Sequence, residues 1–234
     1  MNLAELKKNI FSIYKKEFKK NGFNISGNTF RKKENGFVKV FNIQLSQFNF
    51  YISDNLFSCS YCINIGLFYP EAYNFSFSEF YTDDVLEEMV PPKNPKESDC
   101  QFSSRGHEIL GTLKSYVINN NTDIAIFIEL ITKEIKNVFI PFFEELVDLE
   151  DCKVLLNKYL KSDAVDIWTA LAYTSLGKHY LAKELVLDVL KKNEVKPRIK
   201  KRIIHWIESK GVDLGVPNDD DEQNKIDISS GRYP

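Results

Sequence analysis

From Phe57 to Tyr69 apolar and polar positions alternate. Phe57, Cys59, Tyr61, Ile63, Ile65, Leu67 and Tyr69 take the odd places, while Ser58, Ser60, Asn64 and Gly66 stand among the even ones. Successive side chains of a strand point to opposite faces, so a period of two predicts a strand with one buried face. The preceding segment repeats the pattern more weakly, with Phe37, Phe41, Ile43 and Leu45 on one side and Val38, Val40, Asn42, Gln44 and Ser46 on the other. Two neighbouring amphipathic strands predict an antiparallel sheet that packs one face on a core. Phe48 to Ile52 reads as a short extension of the first strand, and Ser53-Asp54-Asn55 as the turn. Residues 28 to 33 form an earlier strand, closed by Asn35-Gly36, a pair that tolerates positive φ.

A period near 3.6 governs most of the rest. Leu3, Leu6, Ile10, Ile13, Tyr14 and Phe18 predict an amphipathic helix over 3–20. Ile124, Phe127, Leu130, Ile131, Ile135, Val138 and Phe139 predict a second helix, capped by Asp123 and stopped by Pro141. These two are the expected cover for the apolar sheet face. Beyond Phe142 every pattern is helical, over 143–160, 163–176, 178–192 and 197–210. The pair around Leu176-Gly177, with small Ala170, Ala172 and Ala182, resembles one tetratricopeptide hairpin; a solenoid needs about three stacked units, so an ordinary docked hairpin is expected. Two stretches stay open. Residues 70–104, rich in aromatic and acidic residues, form either a lid or extra strand on the sheet, which is preferred, or an exposed contact loop; residues 107–118 read equally as strand or helix. From residue 212 the chain is polar and aperiodic, and a mobile tail is expected.

Composition narrows the class. The 234 residues are 43% hydrophobic, enough for a sizeable core, and the formal net charge is −2, so nothing in the total points to nucleic acid. The basic run KPRIKKRIIHWIESK reads as a solvated helix face. No apolar run reaches the roughly 18 residues of a spanning helix, and lysines interrupt the N-terminus where a signal peptide has a continuous apolar stretch. A cytoplasmic protein with reduced cysteines is expected. Cys59 and Cys62 form a CxxC, but an odd spacing in a strand sends the two thiols to opposite faces, against a zinc or redox pair.

Catalytic signatures are missing: no Walker loop, no GxGxxG after a strand, no HExxH and no GxSxG. His107, His179 and His205 fall in separate elements. No catalytic, metal or cofactor residue is therefore assigned. The candidate residues are instead Asn42, Gln44, Ser58, Ser60 and Asn64, whose amides and hydroxyls share one side of the central strands. They are a solvent-facing side, or amides that hydrogen-bond to connecting loops, or else a rigid polar recognition surface for a peptide, base or partner protein.

The opening helix, Gly22-Phe23, Thr29-Phe30-Arg31, Phe41-Asn42-Ile43-Gln44-Leu45-Ser46 and Ile63-Asn64-Ile65-Gly66-Leu67 together resemble the bacterial family 4304 of the domains of unknown function. Cys100, Arg105 and Ile109-Leu110-Gly111 correspond to that family's second block, and the helix at Pro141 to its close. The resemblance spans about the first 145 residues and implies a fold without an activity. The expected architecture is α+β: an antiparallel sheet of four to five strands flanked by helices in residues 1–145, then a helical C-terminal section with one hairpin over 146–211, and the polar tail over 212–234. Three function classes follow, in this order: a non-catalytic binding or regulatory module, including the toxin-neutralising, immunity type; a hydrolase or nuclease with a site assembled from distant segments; a structural subunit. A protein is the expected partner, with neither membrane nor nucleic acid, and the oligomeric state is open.

Overall fold

The computed structural model describes residues 3–45, 51–53, 56–77, 80–119, 121–160, 162–192 and 195–216. Its axis is the long alternating segment, strand β5 (Leu56–Phe68). Strands β1 (Asn24–Ser26), β2 (Thr29–Lys33) and β3 (Val38–Leu45) lead up to it in antiparallel order, and β4 (Tyr51–Ser53) pairs with its first residues. Asn64 pairs with Asn42 of β3 and with Arg105 of β6 (Phe102–Arg105), and Tyr61 with Leu45 of β3 and Tyr116 of β7 (Tyr116–Asn119). Strands β6 and β7 therefore share the edge of β5 that faces away from β3. The expected antiparallel sheet is present, with more strands than four or five because β1, β4, β6 and β7 have only three or four residues each, too few for a periodic signal. Tyr51–Ser53 belongs to its own strand rather than to an extension of β3.

The period-two face is covered as its composition demands. Ile10, Tyr14 and Phe18 of α1 (Leu3–Lys20) and Phe127, Ile131, Ile135 and Phe139 of the helix from Ile124 are buried against Phe30, Phe41, Ile63, Ile65 and Leu67. Phe18 lies 4.4 Å from Phe41 and 5.0 Å from Phe30, centroid to centroid, and Phe41 lies 5.1 Å from Phe139. Each such ring removed from water contributes about 1.5–3 kcal/mol. Lys39 shares this face and is nevertheless 2% exposed; its ammonium reaches the Glu34 carboxylate at 2.7 Å. The second covering helix does not stop at Pro141. After α4 (Ile124–Glu134) five residues, Ile135–Phe139, adopt a π turn, and α5 (Ile140–Glu144) takes Pro141 in its first turn. Proline lacks an N–H and crowds the carbonyl four residues back; the wider turn just before it supplies the room, so the chain stays helical to Glu144.

Residues 70–101 form a lid on the opposite face. They fold as 3₁₀ turns at Pro70–Ala72, Phe75–Phe77 and Glu97–Asp99 around α2 (Asp83–Glu88), with no strand among the described residues. Val38, Val40 and Phe68 are buried there beside Tyr73 and Cys100, so this face is not polar throughout. Residues 107–118 resolve into both alternatives, α3 (Gly106–Leu110) followed by β7.

The C-terminal section comprises α6 (Leu149–Tyr159), the hairpin of α7 (Ala164–Ser175) and α8 (His179–Leu190), and α9 (Pro197–Ser209). Helix α7 is apolar nearly all round and is buried from Ile167 to Thr174, as a central helix must be. The section shares one continuous apolar core with the sheet and its helices. Gly36 marks the seam: its φ is +91°, and a Cβ there would meet Leu149 at 3.2 Å and Ala172 at 3.4 Å. The basic run is a solvated face only in part: Lys196, Arg198 and Lys201 are exposed as expected, whereas Arg202 is 6% exposed and donates to the Tyr81 carbonyl, and Lys200 reaches the Leu190 carbonyl at 2.6 Å, so these two cations tie α9 to its neighbours. The polar tail also starts later than residue 212: Val212 and Leu214 are each 3% exposed, and Lys183 holds the Asp213 carbonyl at 2.7 Å. Two apolar anchors suffice to dock the segment; residues 217–234 lie outside those described. No described helix is long and apolar enough to cross a membrane.

Candidate functional site

Antiparallel register places Ser26, Thr29, Asn42, Asn64 and Arg105 in one row across β1, β2, β3, β5 and β6. From Thr29 onward the side chains join hands. Asn42 Nδ2 donates to Thr29 Oγ1 at 3.0 Å, Asn64 Nδ2 to Asn42 Oδ1 at 3.4 Å and to Gln44 Oε1 at 3.0 Å, and Arg105 Nη1 to Asn64 Oδ1 at 2.7 Å and Gln44 Oε1 at 2.8 Å. The Cys62 sulfur touches the same guanidinium nitrogen. Asn64 is 6% exposed, and both ends of its amide are satisfied. A buried network satisfied in this way is rigid, because each member has one compatible geometry.

Arg105 is where the row reaches solvent. Its Nη1 is held by the three acceptors, whereas Nε and Nη2 have no hydrogen-bond partner among the described residues. The guanidinium lines a recess of about 320 Å³ with Gln44, Asn64, Glu97, Ser103, Ser104 and Glu108. Glu108, in the first turn of α3, accepts from Ser104 Oγ at 2.7 Å and from the Arg105 N–H at 3.2 Å. Those two hydrogen bonds, the hydroxyl's first, hold its carboxyl below the ordinary value. Burial pushes the Cys62 thiol up, against the opposing pull of Arg105. A fixed cation with unspent donors, a hydroxyl and two carboxylates thus meet in one recess.

The lid supports this arrangement from beside it. Gly66, one row along β5 from Asn64, leaves space that Cys100 fills: a Cβ on Gly66 would stand 2.6 Å from Cys100 Sγ. Arg31 Nε donates to the Pro95 carbonyl at 2.5 Å, and Gln101 Oε1 accepts from the Tyr69 N–H at 2.6 Å. Glycine at 66 therefore permits the close approach of the segment that walls the recess.

Of the candidates read from the sequence, Asn42, Gln44 and Asn64 come together. Asn42 and Asn64 form the inner part of the row, and Gln44 is exposed at its mouth. Ser60 lies on the same face of β5, roughly 13 Å along the strand from Asn64, paired with Val117. The side chain of Ser58 is outside the described residues. Arg105, Cys62, Ser104 and Glu108 were not among the candidates. Four residues of β6 carry too short an alternation to announce a strand, and only the family resemblance singled out Arg105. No group of three or more potential metal ligands gathers among the described residues.

An antiparallel sheet with helices on one face, a lid on the other and a polar row ending in a recessed arginine defines an α+β domain with a helical extension. The chain belongs to the family described as Domain of unknown function (DUF4304), whose model matches residues 14–145, more than half of its 234 residues. The match takes in the whole row from Ser26 to Arg105 and ends where α5 gives way to the helical section. No curated protein and no solved structure matches the chain.

Proposed function

We propose that the chain is a non-catalytic binding module whose recognition centre is the Arg105 end of the polar row. The observation that carries this reading is that side chains from three strands are spent on fixing one guanidinium nitrogen of Arg105, whose other donors have no partner among the described residues, beside an open recess that Arg105 lines. A partner acceptor meets donors already in place, so little ordering cost opposes binding. Glu97 and Glu108 at the rim disfavour a polyanion such as nucleic acid. They suit a protein segment of mixed charge, its carboxylate or main-chain carbonyl on Arg105 and a lysine or amide donor on the acids. Asn42 and Asn64 are positioning residues here, and Gln44, Ser104 and Arg105 are the contacts.

Affinity capture with the immobilised full chain, run beside Arg105→Ala and Arg105→Lys, tests the reading. A partner retained by the wild type, lost with alanine and weakened with lysine supports it, because lysine keeps the charge and not the fork. Thermal melts accompany each capture. A partner held equally by well-folded Arg105→Ala places recognition elsewhere.

A further inference from the structure

Three charged side chains, Arg105, Glu97 and Glu108, line the Arg105 recess, and neither carboxylate forms an ion pair with the arginine. Glu108 spends Oε2 on the Ser104 hydroxyl and the Arg105 main-chain N–H, not on the guanidinium. Glu97 is half-buried in the last 3₁₀ turn of the lid; its carboxylate has no hydrogen-bond or ion-pair partner among the described residues, and it acts on Arg31 and Cys62 only through longer-range charge. Arg105 is pinned through Nη1 alone, by Gln44, Asn64 and Cys62. Its Nε and Nη2 have no partner among the described residues, and neither is sealed from solvent. These two nitrogens share one edge of the planar guanidinium, and their parallel N–H bonds make the fork that takes both oxygens of a carboxylate. A cation and two anions held apart around about 320 Å³ are complementary to a ligand with an anion and a cation of its own.

Charge decides which ligand this is. One arginine against two glutamates leaves the recess net negative, so a phosphate dianion or a dicarboxylate is repelled, while a lone ammonium leaves the fork unused. An acidic and a basic residue in the middle of a chain bring both charges, but main chain must then leave the recess on two sides. A chain that ends in a basic residue carries the carboxylate and the cation on one residue and has a single exit. Resting on the reading of Arg105 as the recognition centre, we infer that the recess binds the C-terminal residue of a partner chain that ends in lysine or arginine. The α-carboxylate sits bidentate on Arg105 Nε and Nη2, and the side-chain cation lies between Glu97 and Glu108.

The probe is Nα-acetyl-lysine, which keeps the amide, carboxylate and ammonium of such a chain end. It is titrated into the nitrogen-15-labelled full chain and followed by NMR at the Arg105 Nε–H and at the Ser104 and Glu108 amides. Saturable, salt-sensitive shifts of these signals are expected. Nα-acetyl-lysine amide, which lacks the carboxylate, and Nα-acetyl-norleucine, which lacks the ammonium, each bind about tenfold more weakly, the equivalent of about 1.4 kcal/mol. Glu97→Gln weakens acetyl-lysine several-fold and leaves acetyl-norleucine unchanged, as a cation seated on that carboxylate requires. Arg105→Ala abolishes the shifts at Ser104 and Glu108; should its melt show a misfolded protein, Arg105→Lys, which keeps the charge and loses the fork, repeats the test with weakened binding expected. Equal affinity for acetyl-lysine and either analogue overturns the inference. Free lysine binding as tightly as acetyl-lysine also overturns it, since the recess then takes the free amino acid rather than a chain end. So does the absence of saturable binding; a protein partner captured through Arg105 in that case leaves the recognition centre standing without the chain-end ligand.

Discussion

On the helix-covered side of β5, Tyr61, Ile63, Ile65 and Leu67 disappear among rings and aliphatic chains from α1, α4 and α5; on the other side Asn64 and Gly66 lie between strands that present amides, a thiol and a guanidinium. The two faces come from alternate residues of one strand, yet they are held by different physics. The first depends on area removed from water, which is non-directional and shared among many contacts. The second depends on one-to-one hydrogen bonds and on the Gly66–Cys100 approach, where a displaced atom has no substitute partner. A cohesive face and a precise face back to back let the fold tolerate variation on one side while fixing Arg105 on the other.

The strongest test of this contrast is Ile63→Asp. Ile63 is 2% exposed, and an unpaired carboxylate in its place costs several kcal/mol, so the variant should be largely unfolded by circular dichroism at neutral pH. A cooperative melt near the wild-type midpoint would mean that the helices do not seal this face.

Gly66→Ala probes the precise face by sterics alone. A single methyl group meets Cys100 Sγ at 2.6 Å and the Phe102 carbonyl at 3.3 Å, so a loss of about 1–3 kcal/mol is expected in urea unfolding. Cys100→Ala in the same chain should return part of it, and the double-mutant cycle reads the coupling directly. Additive losses would mean that the lid is not seated on the strand.

Glu134 of α4 borders the cohesive face, and pH reports on it. Tyr116 OH donates to Glu134 Oε2 at 2.6 Å, the Tyr116 ring stacks on Tyr61 at 4.9 Å, and burial outweighs the tyrosine hydrogen bond in raising the Glu134 carboxyl above its ordinary value. The folded chain therefore keeps this proton to higher pH than the unfolded chain. Its contribution to stability is greatest in acid, and it falls as pH rises from the ordinary carboxyl range near 4.3 through the raised folded value. Glu134→Gln cannot ionise and still accepts from Tyr116, so its melting temperature should gain on the wild type as pH rises above the ordinary carboxyl value of about 4.3. A difference independent of pH would show that Glu134 is not desolvated.

Ser60→Asp sets the lower bound. Ser60 is half-buried on the non-helical face, away from the row, and a change within about 0.5 kcal/mol is expected. Damage comparable to that of Ile63→Asp would show that this end of β5 is closed on both sides.

Local pattern was enough for the elements and for the apolar face. The alternation of β5, the helical stripes of α1 and α4, and the Gly36 turn each follow from side-chain direction and backbone freedom within a few residues. Even Asn42, Gln44 and Asn64 were placed on a common face by parity. What only the tertiary structure decided involves partners far apart in the chain. Arg105 reaches Gln44 across 61 positions, and Cys100 meets Gly66 across the lid; Arg202 finds the Tyr81 carbonyl across 121. The π turn before Pro141 and the burial of Val212 and Leu214 were equally hidden, since each depends on what the segment packs against. Periodicity records which way a side chain points, and burial and hydrogen bonding depend on what stands in front of it; only the folded chain supplies that neighbour.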